Sequence, residues 1–142
     1  GRAHGAKAQV ETFLMSNIVP QAPDLNRGPW KEMEQRIAND YLEDYRELWV
    51  ITGPIYSAQP ESLPSKVTIP SAFFKIVVDV VEADQVRVIA VIMPQSPSNS
   101  SDLRDYLVSV DEVEKLTGLD FLSLLEGRAE VAIEAVRPMR LW

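Results

Sequence analysis

Two apolar runs near the middle of the chain constrain the fold more than anything else. "FFKIVVDVV" (Phe73–Val81) and "VRVIAVIM" (Val86–Met93) are dense in β-branched residues, and only "EADQ" separates them. β-branched side chains favour a pleated backbone, and so short a link leaves room only for an antiparallel hairpin. Upstream, "LWVITGPIY" reads as another buried strand, stopped by Gly53-Pro54. Trp49, Phe73 and Phe74 sit in apolar strand patterns, which predicts core positions for all three.

Helical signals flank these strands. Gln21 to Gly28, with Pro20 before it, reads as loop. Pro29 then suits a first helical position, where its missing N–H costs nothing. Trp30, Met33, Ile37, Tyr41, Leu42 and Tyr45 recur at helical spacing, which predicts a helix over 29–45. Ser109 and Glu112 have the spacing of a capping box, with Thr117-Gly118 as its helix end. "DFLSLLE" predicts one more short helix, and Thr12 to Ile18 an extended segment. Residues 57–65 and 94–102 are rich in Pro, Ser and Gln and read as loops. The expected architecture is α+β: a mainly antiparallel sheet with helices packed against it. At 142 residues the chain is long enough for one domain with one sizeable core.

Composition excludes several classes. No apolar run approaches the length that spans a bilayer, so no membrane partner is expected. The absence of cysteine rules out disulfides and thiolate metal sites. No basic, apolar leader opens the chain as given. A net charge of −7 and a pI near 4.7 weigh against a nucleic-acid binder, which usually presents a basic face. A metal ion or a local cationic patch can invert that field.

The residues able to do chemistry are few. His4 is the one histidine, and imidazole is the side chain best suited to deprotonate water near neutral pH. A Gly-Arg-Ala-His start is equally what a frayed terminus or a cloning remnant would give. Asn26 precedes the expected helix, and Glu34 lies in its second turn, leaning back toward Asn26. An amide oxygen near a carboxylate suits a hard cation such as Mg2+. On spacing alone, a turn asparagine and a solvated surface charge are the commoner uses of these two residues.

The stretch "ETFLMSNIVPQAPDLNRGPWKEMEQ" resembles the signature of the DNA/RNA non-specific endonucleases, the ββα-metal (His-Me finger) nucleases of the Serratia nuclease type. That pattern is Asp-Arg-Gly-His followed by Ser-Asn-x-x-Pro-Gln, Leu-Asn-x-x-x-Trp and a Glu. Here Ser16-Asn17, Pro20-Gln21, Leu25-Asn26, Trp30 and Glu34 keep its order and spacing. "WVITGPIY", "IPSAFFKIVV" and "YLVSVDEVEKLTGLDF" are similar to family segments as well.

The resemblance implies a Mg2+-dependent, sugar-non-specific endonuclease with DNA and RNA as substrates. It implies His4 as general base and Asn26 as the direct metal ligand. Glu34 would hold the ion through water, Asn17 would support the site by hydrogen bonding, and Arg2 would neutralise charge on the phosphate. Mn2+ or Ca2+ can occupy such a site in place of Mg2+. Lys75 falls in a family-like segment without an assigned role. A secreted or periplasmic setting is favoured. Dimers occur in the family, so a homodimer, or a second chain supplying strands upstream of the histidine motif, is a possible partner; the sequence leaves an inhibitor protein unknown.

The chain also departs from the pattern. Gly1 stands for the aspartate and Ala3 for the glycine of Asp-Arg-Gly-His. The stretch from His4 to Glu11 is shorter than the family's, which implies a missing loop after His4, and the family's strands upstream of the motif are absent. Residues 1–142 are therefore expected to be a single endonuclease domain lacking those parts. Gly1, Ala3 and the acidic pI fit a second reading, a catalytically impaired nuclease fold that binds nucleic acid or a protein partner.

Overall fold

The two apolar runs pair as their composition requires. A computed structural model describes residues 18–41, 48–82, 85–98, 102–123 and 133–142. Among them, β1 (Leu48–Ile55), β2 (Ala72–Glu82), β3 (Gln85–Pro94) and β4 (Leu107–Val108) form one antiparallel sheet in that order. The β2–β3 register pairs Phe73 with Met93, Lys75 with Val91, Val77 with Ile89 and Asp79 with Arg87.

Successive side chains of a strand point to opposite faces. Phe73, Val77, Ile89, Val91 and Met93 therefore share one core, and Phe74, Ile76, Val78 and Ala90 share another. Both faces of the hairpin are covered, which explains why its strands read as near-continuous apolar runs rather than as alternating ones. The first face is covered by α1 (Pro23–Arg27) and α2 (Pro29–Arg36), which bring Leu25, Trp30 and Met33. A π-helical turn, Ile37–Tyr41, continues α2 and buries Ile37 and Tyr41 in the same core. The second face is covered by α3 (Val110–Thr117) through Val110 and Val113. This is the α+β arrangement expected.

The capping box forms in both directions. Ser109 Oγ accepts from Glu112 N at 3.2 Å, and Glu112 Oε2 accepts from Ser109 N at 2.8 Å. Gly118 ends α3 at φ 70°, a left-handed position that glycine reaches without the steric cost of a Cβ.

Four expectations need correction. The 21–28 loop contains α1, a one-turn helix opened by Pro23 with Asp24 favourably placed in its first turn. Gly53-Pro54 does not stop β1, because β1 is an edge strand, where proline's missing N–H can face away from the ladder. Trp49 is 59% exposed, since it lies on that edge rather than in the middle of the sheet; Phe73 and Phe74 are buried as expected. Asp120–Ser123 is not helical: Phe121 N donates instead to Glu114 Oε1 at 2.8 Å, and Leu119 N to Thr117 Oγ1. The helix expected over 29–45 is helical to Tyr41. Leu42, Tyr45, residues 12–17, 124–126 and the His4–Gly5 junction lie outside the described residues.

Candidate functional site

The segment that carries the motif is tied to the sheet from a distance. Gln95 follows β3, and its side-chain amide clamps the chain ahead of α1. Gln95 Oε1 accepts from Ala22 N, and Gln95 Nε2 donates to Pro20 O, each at 2.7 Å. The clamp fixes where α1 begins, and fully buried Leu25 seats the helix on the core.

Gly28 joins the two helices with no intervening loop. Its N–H donates to Asp24 O and Leu25 O, closing α1, and its carbonyl accepts from Glu32 N, opening α2. The backbones approach so closely that a Cβ on Gly28 would sit 2.5 Å from Asp24 O. Asn26 and Glu34 thus ride on consecutive helices with a fixed junction, and both face solvent while their neighbours Leu25, Trp30 and Met33 turn inward.

Beneath Glu34 lies the least expected feature of the sheet. Lys75, in the middle of β2, is only 4% exposed. Its Nζ lies 4.2 Å from the centre of the Trp30 ring and 3.8 Å from Glu34 Oε1. Trp30 is itself held edge-on by Phe73, with ring centres 5.7 Å apart. Burial pushes the Lys75 ammonium below the usual lysine range, and the charge and hydrogen bonding of Glu34 oppose that shift. The Glu34 side chain is 55% exposed.

Of the five site residues expected from the sequence, Asn26 and Glu34 are placed on one side of the molecule, on helices that pack together. Arg2, His4 and Asn17 lie outside the described residues. A groove of about 580 Å3 runs beside the α1–α2 junction, lined by Asp24, Arg27, Lys31, Glu32 and Gln35 together with Pro97 and Ser98. Neither Asn26 nor Glu34 lines it.

The oxygen donors of Asn26 and Glu34 fit a hard cation. A second set of carboxylates could also hold a metal ion: Asp111, Glu114 and Glu134 bring ligand atoms within 4.8 Å of one another. They belong to the α3 side of the sheet, away from Asn26 and Glu34. Sequence reasoning missed this group. It also left Lys75 and Gln95 without roles, although a lone lysine in an apolar strand was a visible signal.

A family model for DNA/RNA non-specific endonucleases matches residues 2–127. The chain belongs to this family. Its members are metal-dependent nucleases. A nuclease of Nostoc sp. strain PCC 7120 is 40% identical over 143 residues, covering 94% of this chain and 51% of the relative. The nuclease of Serratia marcescens is 34% identical over 110 residues, covering 74% of this chain and 41% of its own length. The chain therefore spans about half the length of the curated relatives it matches. In the crystal structure of an EndoG/EndoGI complex, which addresses the mechanism of EndoG inhibition, one chain superposes with a TM-score of 0.68 at 26% identity. The match covers 84% of this chain and 54% of that one.

Proposed function

We propose that this chain is a single endonuclease domain that hydrolyses phosphodiester bonds in DNA and RNA with Mg2+. The observation that carries this reading is the joining of Asn26 and Glu34 through Gly28 on two solvent-facing helices, in a chain that matches the endonuclease family over residues 2–127.

Asn26 would hold the cation directly through its amide oxygen, and Glu34 would hold it through water; both are hard donors, suited to Mg2+ and equally to Mn2+ or Ca2+. When bound, the ion neutralises charge that builds on the phosphate and on the departing oxygen. The chain supplies the rest. His4 takes the proton from the attacking water, Arg2 offsets phosphate charge, and Asn17 supports the site by hydrogen bonding. None of these groups reads a base edge, which is why both DNA and RNA are substrates. A net charge of −7 leaves attraction to the backbone to a few local cations, so binding weakens steeply with salt.

Digestion of plasmid DNA and of RNA, with Mg2+ and with EDTA, tests the reading. Cleavage in Mg2+ that EDTA abolishes is expected, and His4→Ala should lower the rate about 10²–10⁴-fold. A folded chain that leaves both substrates uncut in Mg2+, while still retarding them on a gel, would establish the non-cleaving alternative instead.

A further inference from the structure

Lys75 has a geometry that calls for a purpose. A buried ammonium is costly unless it is paired, and apolar residues surround this one along β2. Among the described residues its charge meets one carboxylate, Glu34, which comes from a different element. The 3.8 Å separation is longer than a good charge-assisted hydrogen bond, and the Glu34 side chain stays half exposed. This pair anchors one side of Glu34 and leaves the remainder free.

We propose that Lys75 is a positioning residue: seated on the Trp30 ring, its fixed charge holds the Glu34 carboxylate in the orientation that the neighbouring metal site requires. The inference rests on the nuclease reading above and adds to it the residue that sets the aim of Glu34. Groups that orient a metal-side carboxylate typically change metal affinity about 10–100-fold when removed. The indole contributes in two ways: its face attracts the cation, and its edge contact with Phe73 keeps the ring from turning.

The test is a Mn2+ titration of the full chain followed by electron paramagnetic resonance, with Lys75→Met, Lys75→Arg, Glu34→Gln and the double variant Lys75→Met/Glu34→Gln. Lys75→Met should weaken Mn2+ binding about 10–100-fold. Its urea midpoint should hold or rise, because an apolar side chain replaces a buried charge. Lys75→Arg, which keeps a cation over the ring, should recover part of the loss. In the Glu34→Gln background the Lys75→Met change should add little, since Lys75 acts through that carboxylate.

A folded Lys75→Met protein that binds Mn2+ within twofold of wild type overturns the proposal, as does full additivity in the double variant. Should the methionine variant not fold, Lys75→Gln is the second neutral replacement, with the same expected and overturning results. A wild-type chain that neither binds Mn2+ nor cuts DNA overturns the nuclease reading as well. Wild-type binding with an unaffected Lys75→Met variant removes the role of Lys75 alone.

Discussion

β2 buries two charges on the same face, four residues apart, and handles them differently. Asp79 is 2% exposed and pairs with Arg87, its direct cross-strand neighbour. Arg87 Nε donates to Asp79 Oδ2 at 3.0 Å, and Nη2 donates to the same oxygen. The guanidinium also lies 5.2 Å from the Trp142 ring, which packs against Tyr41. Lys75 is buried nearly as deeply, yet its partner stands off at 3.8 Å on a helix. The Asp79 pair follows the hairpin register, and both of its hydrogen bonds fall on Oδ2. The Lys75 pair depends on how α2 docks on the sheet, and it leaves its carboxylate accessible. Charges buried to similar depth on one strand thus have different kinds of partner: Asp79 meets an arginine of the facing strand, and Lys75 meets a carboxylate carried by a helix.

The sharpest way to break this contrast is Arg87→Ala. It strands the Asp79 carboxylate in the core, and removing one partner of a buried pair typically costs about 3–5 kcal/mol. A large fall in the urea midpoint is expected, with nuclease activity per folded molecule unchanged. If Mn2+ binding falls as is expected for Lys75→Met, the two ends of β2 are not functionally separate.

Gly28→Ala should have a smaller effect on stability and a sharper one on function. The new Cβ would meet the Asp24 carbonyl at 2.5 Å, a backbone atom that cannot swing aside. Relief of such overpacking typically costs about 1–3 kcal/mol. Here the relief comes from shifting α1 against α2, which changes the placement of Asn26 relative to Glu34. Weaker Mn2+ binding, measured on protein confirmed folded by circular dichroism, is the expected result. Unchanged metal affinity would show that the two residues do not work as a pair.

What could be read in advance follows the range of the forces involved. The β2–β3 hairpin and the Ser109–Glu112 box obey local rules, and both formed as expected. α1 was missed because a single turn has little intrinsic stability. It exists because Leu25 is buried and because Gln95 holds Pro20 and Ala22 from more than seventy residues away. Trp49 was misplaced because an apolar strand pattern does not reveal which strand forms the sheet edge. Lys75 fell in a family-like segment without a role, because its contact with Glu34 exists only once α2 is docked over β2. Asp111 and Glu114 share a helix and can be paired on paper, whereas the approach of Glu134 cannot. Asn26 and Glu34 were singled out through the resemblance of a motif, and the structure adds the glycine junction between the helices that carry them.

A third ion pair supplies the exposed extreme of the comparison. Asp102 and Arg104 are two residues apart, at the turn before β4. Arg104 Nη2 donates to Asp102 Oδ2 at 2.7 Å, while Arg104 Nε and N donate to Oδ1 at 3.0 and 2.9 Å. These bonds lower the Asp102 carboxyl to about 2, from an ordinary value of 3.8. Because the folded value is the depressed one, the contribution to stability is present in full above the unfolded value and is lost as pH falls through about 2. Surface pairs contribute little even when well aligned, so this is the smallest effect of the series. Asp102→Asn keeps a capping oxygen and removes only the charge. It should lower the urea midpoint slightly at neutral pH, and its difference from wild type should shrink steadily between about pH 4 and pH 2. Carboxyl carbon NMR gives the direct check, since an Asp102 that titrates near 4 would mean that the pair is open in solution and that tight geometry at an exposed site does not by itself signify a bound partner.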